Sequence, residues 1–376
     1  MSSTSTPSTS ATGGQIVVSG TPKAPDDLTL LVGGAVIAVW KQVTVTLRLE
    51  GFPNSFEVKA SASTSGQAPV APGDDCVVKL GNDTVITGWV DRVVESVTPD
   101  AHEITIAGRG LTQDLVDCAA EWPSAELIGG NALTISTNLA SAYGIDVIMD
   151  NGASPGPDVV SWALNYGETG ADIIQRVARN AGLLAYENAR GQLVLAEVGT
   201  ATAASGIVYG QNVEACSVQQ SMDQRYSDYV GCFLALDSYG ALGAGSDFFF
   251  GATDPNVTRH RVMHLIMEAV AANAQDFTES RANWEAARRA GRSFVVRATV
   301  DSWRDSGGTL WLPNTLVSID VPGCVSAQVG ALIISEVTFK RDDDNGTTAE
   351  IVAMTPAAFQ PEPIVLTPVN TKALTT

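Results

Sequence analysis

Hydrophobic and polar residues alternate along much of the first third of the chain. Val43-Thr-Val-Thr-Leu-Arg-Leu49, Phe56-Glu-Val-Lys59, Cys76-Val-Val-Lys-Leu80, Asp83-Thr-Val-Ile-Thr-Gly-Trp-Val-Asp91 and Glu103-Ile-Thr-Ile-Ala107 all repeat with a period near two. Pro53-Asn54, Gly81-Asn82 and Pro99-Asp100 punctuate them. Successive side chains of a strand point to opposite faces, so these runs predict half-buried strands. Several at this spacing predict a small barrel-like domain over residues 26–110.

After Arg109 the period lengthens. Leu111–Ala120, Thr134–Tyr143 and Glu168–Ala181 have helical spacing. The last places Ile173, Ile174, Val177 and Ala178 on one stripe and ends at Gly182, a residue suited to a helix C-terminus. Strands are predicted at Ile145–Met149, Val159–Leu164, Leu183–Tyr186 and Gln192–Leu195, giving a small α/β domain over 111–205. Strand patterns then return at Ala215–Val218, Ser227–Leu234, Arg261–Ile266, Phe294–Val300, Thr315–Val321, Ala331–Lys340 and Ala349–Met354. A second barrel-like domain over 206–356 is therefore expected, with an inserted glycine-rich loop at 237–255 and an inserted helix at 276–291 carrying Arg281, Arg288 and Arg289. The Ser/Thr-rich residues 1–25 are too poor in apolar surface to offset their ordering entropy and read as a flexible arm. Residues 357–376 read as an extended, Pro-rich tail. The fold class is thus α+β and β-rich, with two barrel-like domains flanking a small α/β domain.

Composition sharpens this in three ways. A hydrophobic fraction of 45% with 17% charged residues marks a mostly folded, globular chain. A net charge of −19 with no Lys/Arg block argues against tight nucleic-acid binding, which must neutralise phosphates. The five cysteines (Cys76, Cys118, Cys216, Cys232, Cys324) are far apart in sequence and include no CxxC, against a zinc knuckle or a disulfide framework. Neither a signal-peptide pattern nor a membrane-length apolar run is present, so the expectation is a protein made and kept in the cytoplasm, or one that leaves as part of an assembled particle.

Candidate chemistry is sparse. His260-Arg-Val-Met-His264 spaces two histidines four apart, but Arg261 stands where a zinc protease carries its general base and no third ligand is near in sequence. The only other histidine is His102, and no G-x-S-x-G occurs, leaving few possible bases for a nucleophile triad. Gly240-Ala-Leu-Gly-Ala-Gly-Ser246 has a phosphate loop's composition without the following Lys-Ser/Thr. Glu168, Asp172, Glu214, Asp223 and Asp228 are conceivable carboxylates for glycoside hydrolysis, but nothing selects a pair. Asp342-Asp-Asp-Asn-Gly346 resembles the start of a calcium loop, yet lies between two strand patterns and reads as an acidic hairpin turn. No catalytic, metal or cofactor site is expected. The strongest binding feature is Phe248-Phe-Phe250, read as an apolar loop tip that either tucks back or docks into another subunit.

Three stretches, in order, carry a family resemblance. They are Ile104-Thr-Ile-Ala-Gly-Arg-Gly-Leu-Thr-Gln-Asp-Leu-Val-Asp-Cys-Ala-Ala120, Asp223-Gln-Arg-Tyr-Ser-Asp-Tyr-Val230, and Trp303 with Gly308-Thr-Leu-Trp-Leu-Pro-Asn-Thr-Leu-Val-Ser-Ile-Asp320. Tyr143-Gly-Ile145 and Asp254–Val262 add weaker similarity. Together they resemble the central baseplate hub of Mu-like contractile phage tails, a family related to type VI secretion spike hubs. The resemblance implies a structural virion protein and a homotrimer. Two barrel-like domains per chain would alternate round a pseudo-sixfold ring that joins the hexameric tail tube to the trimeric central spike. It further implies other baseplate proteins as partners, DNA as a transient passenger in the channel, and no enzymatic activity. A tailocin or type VI-like hub, or a tail-associated cell-wall hydrolase, is the alternative. The chain departs from the family at both ends, where the expectation is that its own termini clasp neighbours.

Overall fold

The computed structural model describes residues 26–33, 35–37, 40–61, 70–123, 126–150, 152–234, 247–267, 274–325 and 329–366. The expected N-terminal arm (1–25), most of the glycine-rich loop with Gly240–Ser246, and the last ten residues of the tail lie outside them.

The alternating runs form strands as their pattern predicts, but most of those of the two expected barrels lie in a single open sheet of twelve strands, while Asp228–Leu234 and Val262–Met267 belong to a separate small sheet. Its path runs Val213–Gln220, Phe294–Val300, Gly346–Met354, Leu332–Asp342, Gln42–Arg48, Ser55–Ser61, His102–Gly110, Asp83–Val97, Asp75–Leu80, Leu28–Val32, Ala35–Ile37, with Leu316–Val317 paired to Leu332–Asp342 off the path. The first half joins the second where Gln42–Arg48 pairs antiparallel with Leu332–Asp342, matching Val45 to Phe339 and Leu47 to Val337. This corrects the expectation of two barrel-like domains. Gln42–Arg48 spends one edge on Ser55–Ser61 and the other on the distant half, and no described strand closes either half on itself. Both halves also share one core: Val45, Phe56, Val78 and Ile86 belong to the same cluster as Val296, Trp303, Val337 and Phe339.

The α/β unit has its own core. α1 (Gln113–Asp117), α2 (Ala132–Ser141) and α3 (Gly170–Asn180) surround a three-stranded sheet in the order Leu184–Glu187, Leu193–Ala196, Val147–Met149, the last pair parallel. α3 begins at a capping box in which Thr169 Oγ1 accepts from Asp172 N while the Asp172 carboxylate accepts from Thr169 N. Its buried face is the predicted stripe, Ile173, Ile174, Val177 and Ala178.

A third core lies beyond it. Asp228–Leu234 sits between Asp247–Thr253, antiparallel, and Val262–Met267, parallel. Tyr229, Ala252, Leu265 and Met267 pack against Ala282 and Ala286 of α4 (Ala274–Arg292). Phe248-Phe-Phe250 is therefore strand backbone rather than a loop tip, with Phe249 in register with Cys232. Asp247 and Gly251, which flank the three residues, mask the strand pattern in the sequence. The Pro-rich tail also starts differently. Pro356–Phe359 is a 3-10 turn that buries Ala358 and Phe359 against Leu49, Leu184 and Ile333 before the chain becomes extended. An aromatic residue in the tail finds an apolar seat that composition alone does not reveal.

Candidate functional site

The residues that chemistry would need are not assembled. His260 is exposed, with Nδ1 3.7 Å from Asp228, and His264 is exposed on the Val262–Met267 strand. His102 Nε2 lies 2.5 Å from Glu95 Oε1. Glu168 pairs with Arg176, Asp172 is used in the α3 capping box, and Glu214 is exposed on an edge strand. Asp223 has its pKa lowered by hydrogen bonds from the Ser221 side chain and from backbone N–H, and Asp228 accepts from Ser227 Oγ at 2.6 Å. Asp342 Oδ1 accepts from the N–H of Asp344 and Asn345 in the turn of a hairpin. Among the described residues, no three His, Cys, Asp or Glu side chains are grouped as a metal site would require.

What the fold brings together instead are three junctions, each built from a stretch singled out in the sequence. At the first, the strand His102–Gly110 enters α1 and meets the α/β unit. Glu187, buried at the end of Leu184–Glu187, accepts from Asn54 N (2.8 Å) through Oε2 and from Thr112 N (3.0 Å) through Oε1. Asn54 Nδ2 donates to Glu187 O, and Asn54 Oδ1 accepts from Arg48 N. A Cβ on Gly110 would land on the Glu187 carboxylate, so only glycine lets the strand pass this close. Arg109, one residue earlier, bridges Asp91 (2.6 Å) and Asp117 (2.7 Å), tying the sheet to α1. Beside this junction lies a cleft of about 500 Å³ whose wall includes Arg48, Asn54, Glu187, Arg304 and Pro313, drawn from all three segments of chain.

Burial raises the Glu187 pKa from 4.5 to about 7, and the two backbone N–H groups offset this only in part. Since the folded-state value lies above the unfolded one, this group's contribution is fully present below about pH 4.5. It is lost as pH rises through about 7. Between about pH 5 and 8 the wild type should lose on the order of 2–3 kcal/mol relative to Glu187→Gln, at roughly 1.4 kcal/mol per pKa unit. Chemical denaturation of both proteins at the two pH values measures this. Equal pH slopes would place the titrating group elsewhere.

The second junction joins two stretches that are apart in sequence. Arg225 makes a two-pronged ion pair with Asp254, the closest contact being 2.6 Å, with both side chains largely buried. Ser227 Oγ accepts from Arg261 N, Tyr229 Oη accepts from Tyr226 N, and the Arg261 guanidinium lies 5.0 Å from the Tyr226 ring centre. Asp223–Val230 and Asp254–Val262 thus form one structural knot.

At the third, Trp303 is wholly buried and its Nε1 donates to Lys340 O and Thr348 O (both 3.0 Å), which belong to one cross-strand pair. Trp311 Nε1 donates to Ser302 O. Asn314 adopts a positive φ of 62°, which an asparagine tolerates better than most residues. Its Oδ1 accepts from Gly199 N and its Nδ2 donates to Glu197 O, pinning the exit from the α/β unit. Helix α4 adds a fourth clasp. Trp284 lies between the guanidinium groups of Arg281 and Arg288, Arg281 reaches Glu362, and Arg288 and Arg292 both reach Glu50.

Sequence reading missed Glu187, Asn54 and Asn314. The one local signal was a charged residue closing the otherwise apolar Leu184-Ala-Tyr-Glu187.

Family models described as the N-terminal domain of a Mu phage baseplate assembly protein, the second domain of a gp44-like baseplate hub protein, and the fourth domain of the Mu phage baseplate assembly protein match residues 27–110, 112–197 and 274–362. The baseplate hub protein gp44 of Escherichia phage Mu is 29% identical over 341 residues, 86% of each chain. The crystal structure of a 43 kDa tail protein of prophage MuSo2 from Shewanella oneidensis superposes with a TM-score of 0.78 at 26% identity, covering 89% of this chain and all of that one. A type VI secretion component of E. coli shares the fold at 11% identity, with a TM-score of 0.57 over 89% of this chain and 80% of its own.

Proposed function

Because the chain belongs to the Mu-type baseplate hub family, we propose that it forms a homotrimeric ring at the centre of a contractile tail's baseplate, joining the hexameric tail tube to the trimeric spike. The observation that carries this reading is the succession of hub-family matches from residue 27 to residue 362, on a fold shared with a prophage tail protein.

The open sheet supports it. Within the described chain the path ends at Val213–Gln220 and Ala35–Ile37, each paired on one side. An uncovered strand edge invites non-specific pairing, and a closed ring of identical subunits covers such edges. Each chain would supply both halves of its twelve-stranded sheet to the ring, so three chains would present six similar β segments to a sixfold tube. The net charge of −19 suits a wall past which DNA slides without adhering. The partners on this reading are the spike protein, the tube or distal tube protein and other baseplate proteins, within a virion assembled in the host cytoplasm. The work is mechanical: interfaces hold tube to spike while the sheath contracts, and no group need make or break a bond. The junctions around Glu187, Arg225 and Trp303 would keep the subunit rigid under that load.

Gold-labelled antibody against the chain should decorate intact particles once, at the distal end of the tail. Labelling along the tube or on the head would overturn the reading.

A further inference from the structure

Cys216 and Cys324 are separated by 108 positions in the chain, yet their sulfurs lie 3.3 Å apart. Cys216 belongs to the edge strand Val213–Gln220, and Cys324 to the turn that the Val321–Val325 bridge closes. Both are half-buried against the shared core, and both are free thiols. A disulfide bond is about 2.05 Å long, so the two sulfurs need approach by only roughly 1.2 Å, within reach of small side-chain rotations.

We propose that Cys216 and Cys324 are an oxidisable pair, which closes to an intramolecular disulfide when the protein meets a disulfide oxidant such as glutathione disulfide. The Cys324 turn is the accessible side, since its neighbours Pro322 and Gly323 are exposed. The Cys324 thiol loses its proton and attacks one sulfur of glutathione disulfide, forming a mixed disulfide and releasing one glutathione thiolate. The Cys216 thiol then loses its proton and attacks the Cys324 sulfur, releasing the second glutathione. Two protein thiols are oxidised, one glutathione disulfide is reduced to two thiols, and the two protons pass to the departing thiolates.

Burial, together with the neighbouring Cys324 thiol, pushes the Cys216 pKa up to about 12. The second step is therefore slow near neutral pH and should quicken about tenfold per pH unit as the thiolate fraction grows. Reducing cytosol keeps such a pair open, whereas an oxidising exterior closes it. The bond would staple the outermost strand of the sheet, which pairs only with Phe294–Val300 in the described chain, to the turn beyond it. The chemistry does not depend on the hub reading, which bears only on when the protein leaves the reducing compartment.

The test uses the full chain, purified under reductant and then exposed to glutathione disulfide at pH 7.5 and 8.5. Free thiols are counted after unfolding in an alkylating reagent, and linked peptides are identified by mass. The count should fall from five to three, with one peptide pair joining Cys216 to Cys324, and the higher pH should be faster. Cys216→Ser should form no bridge between its own cysteines and lose at most one of its four thiols, to a glutathione held on Cys324, while Cys118→Ser should still lose two to the Cys216–Cys324 bridge. Five thiols surviving an oxidant that readily oxidises the urea-unfolded chain would overturn the proposal. So would a bridge to another cysteine or between two chains.

Discussion

Trp303→Ala is expected to destabilise the protein by about 3–5 kcal/mol, the usual range for removing a buried tryptophan. The side chain has no exposed surface and stands edge-on to Phe339 with ring centres 6.2 Å apart. Its indole N–H donates into the carbonyls of Lys340 and Thr348, so the ring both fills the core and fastens the 303–311 segment onto the hairpin. Truncation opens a cavity in the cluster that both halves of the sheet share, and the loss should register as a single cooperative shift. Trp303→Phe keeps most of the volume but leaves two carbonyls without their shared donor. It should lose less, about 1–2 kcal/mol. Urea titration followed by tyrosine and tryptophan fluorescence measures both. A Phe variant as damaged as the Ala variant would mean that the hydrogen bonds, rather than the packing, dominate at this site.

Arg225→Ala should cost about 3–5 kcal/mol, because it strands the Asp254 carboxylate in a buried place. Side-chain exposure is 12% for Arg225 and 5% for Asp254, so water cannot substitute for the missing guanidinium. The damage should be local first. The Tyr229, Leu265 and Met267 core against α4 is small and separate from the main one, so hydrogen exchange should rise in residues 225–232 and 252–267 before the large sheet responds. Asp254→Ala should cost a similar amount, and the double variant should cost less than the sum, since the second change removes the stranded charge. Additive losses would show that the two side chains act through different neighbours.

Sequence pattern reached most of the elements and little of their assembly. Val43–Leu49 was legible as a strand because its alternation is local, and α3 because its apolar stripe and terminal glycine coincide within ten residues, 173–182. That the same strand pairs with Leu332–Asp342 was not legible. The Thr46–Thr338 contact spans 292 positions, and period-two runs carry no address for a partner so far away. Two barrels were the reading that needed no such long pairing, and the structure overrides it. Glu187 looked like any acidic residue at a strand end, because burial and a raised pKa arise only once Asn54, Gly110 and Thr112 close round it. The cysteines looked isolated for the same reason. By contrast, the stretches that carry the family resemblance were legible, and each holds together segments that lie apart in the sequence. Ile104–Ala120 delivers Gly110 and Thr112, Asp223–Val230 delivers Arg225, and Trp303 with Gly308–Asp320 delivers the buried indoles and Asn314.

The most direct test of the hub assembly is the mass of the purified full-length protein in solution, by light scattering across a range of concentrations and with its spike protein added. A ring of three 39.2 kDa chains should read 3 × 39.2, about 118 kDa, and imaging should then show a closed ring with six similar lobes. A monomer mass at every concentration, unchanged by the spike, would contradict the trimeric hub.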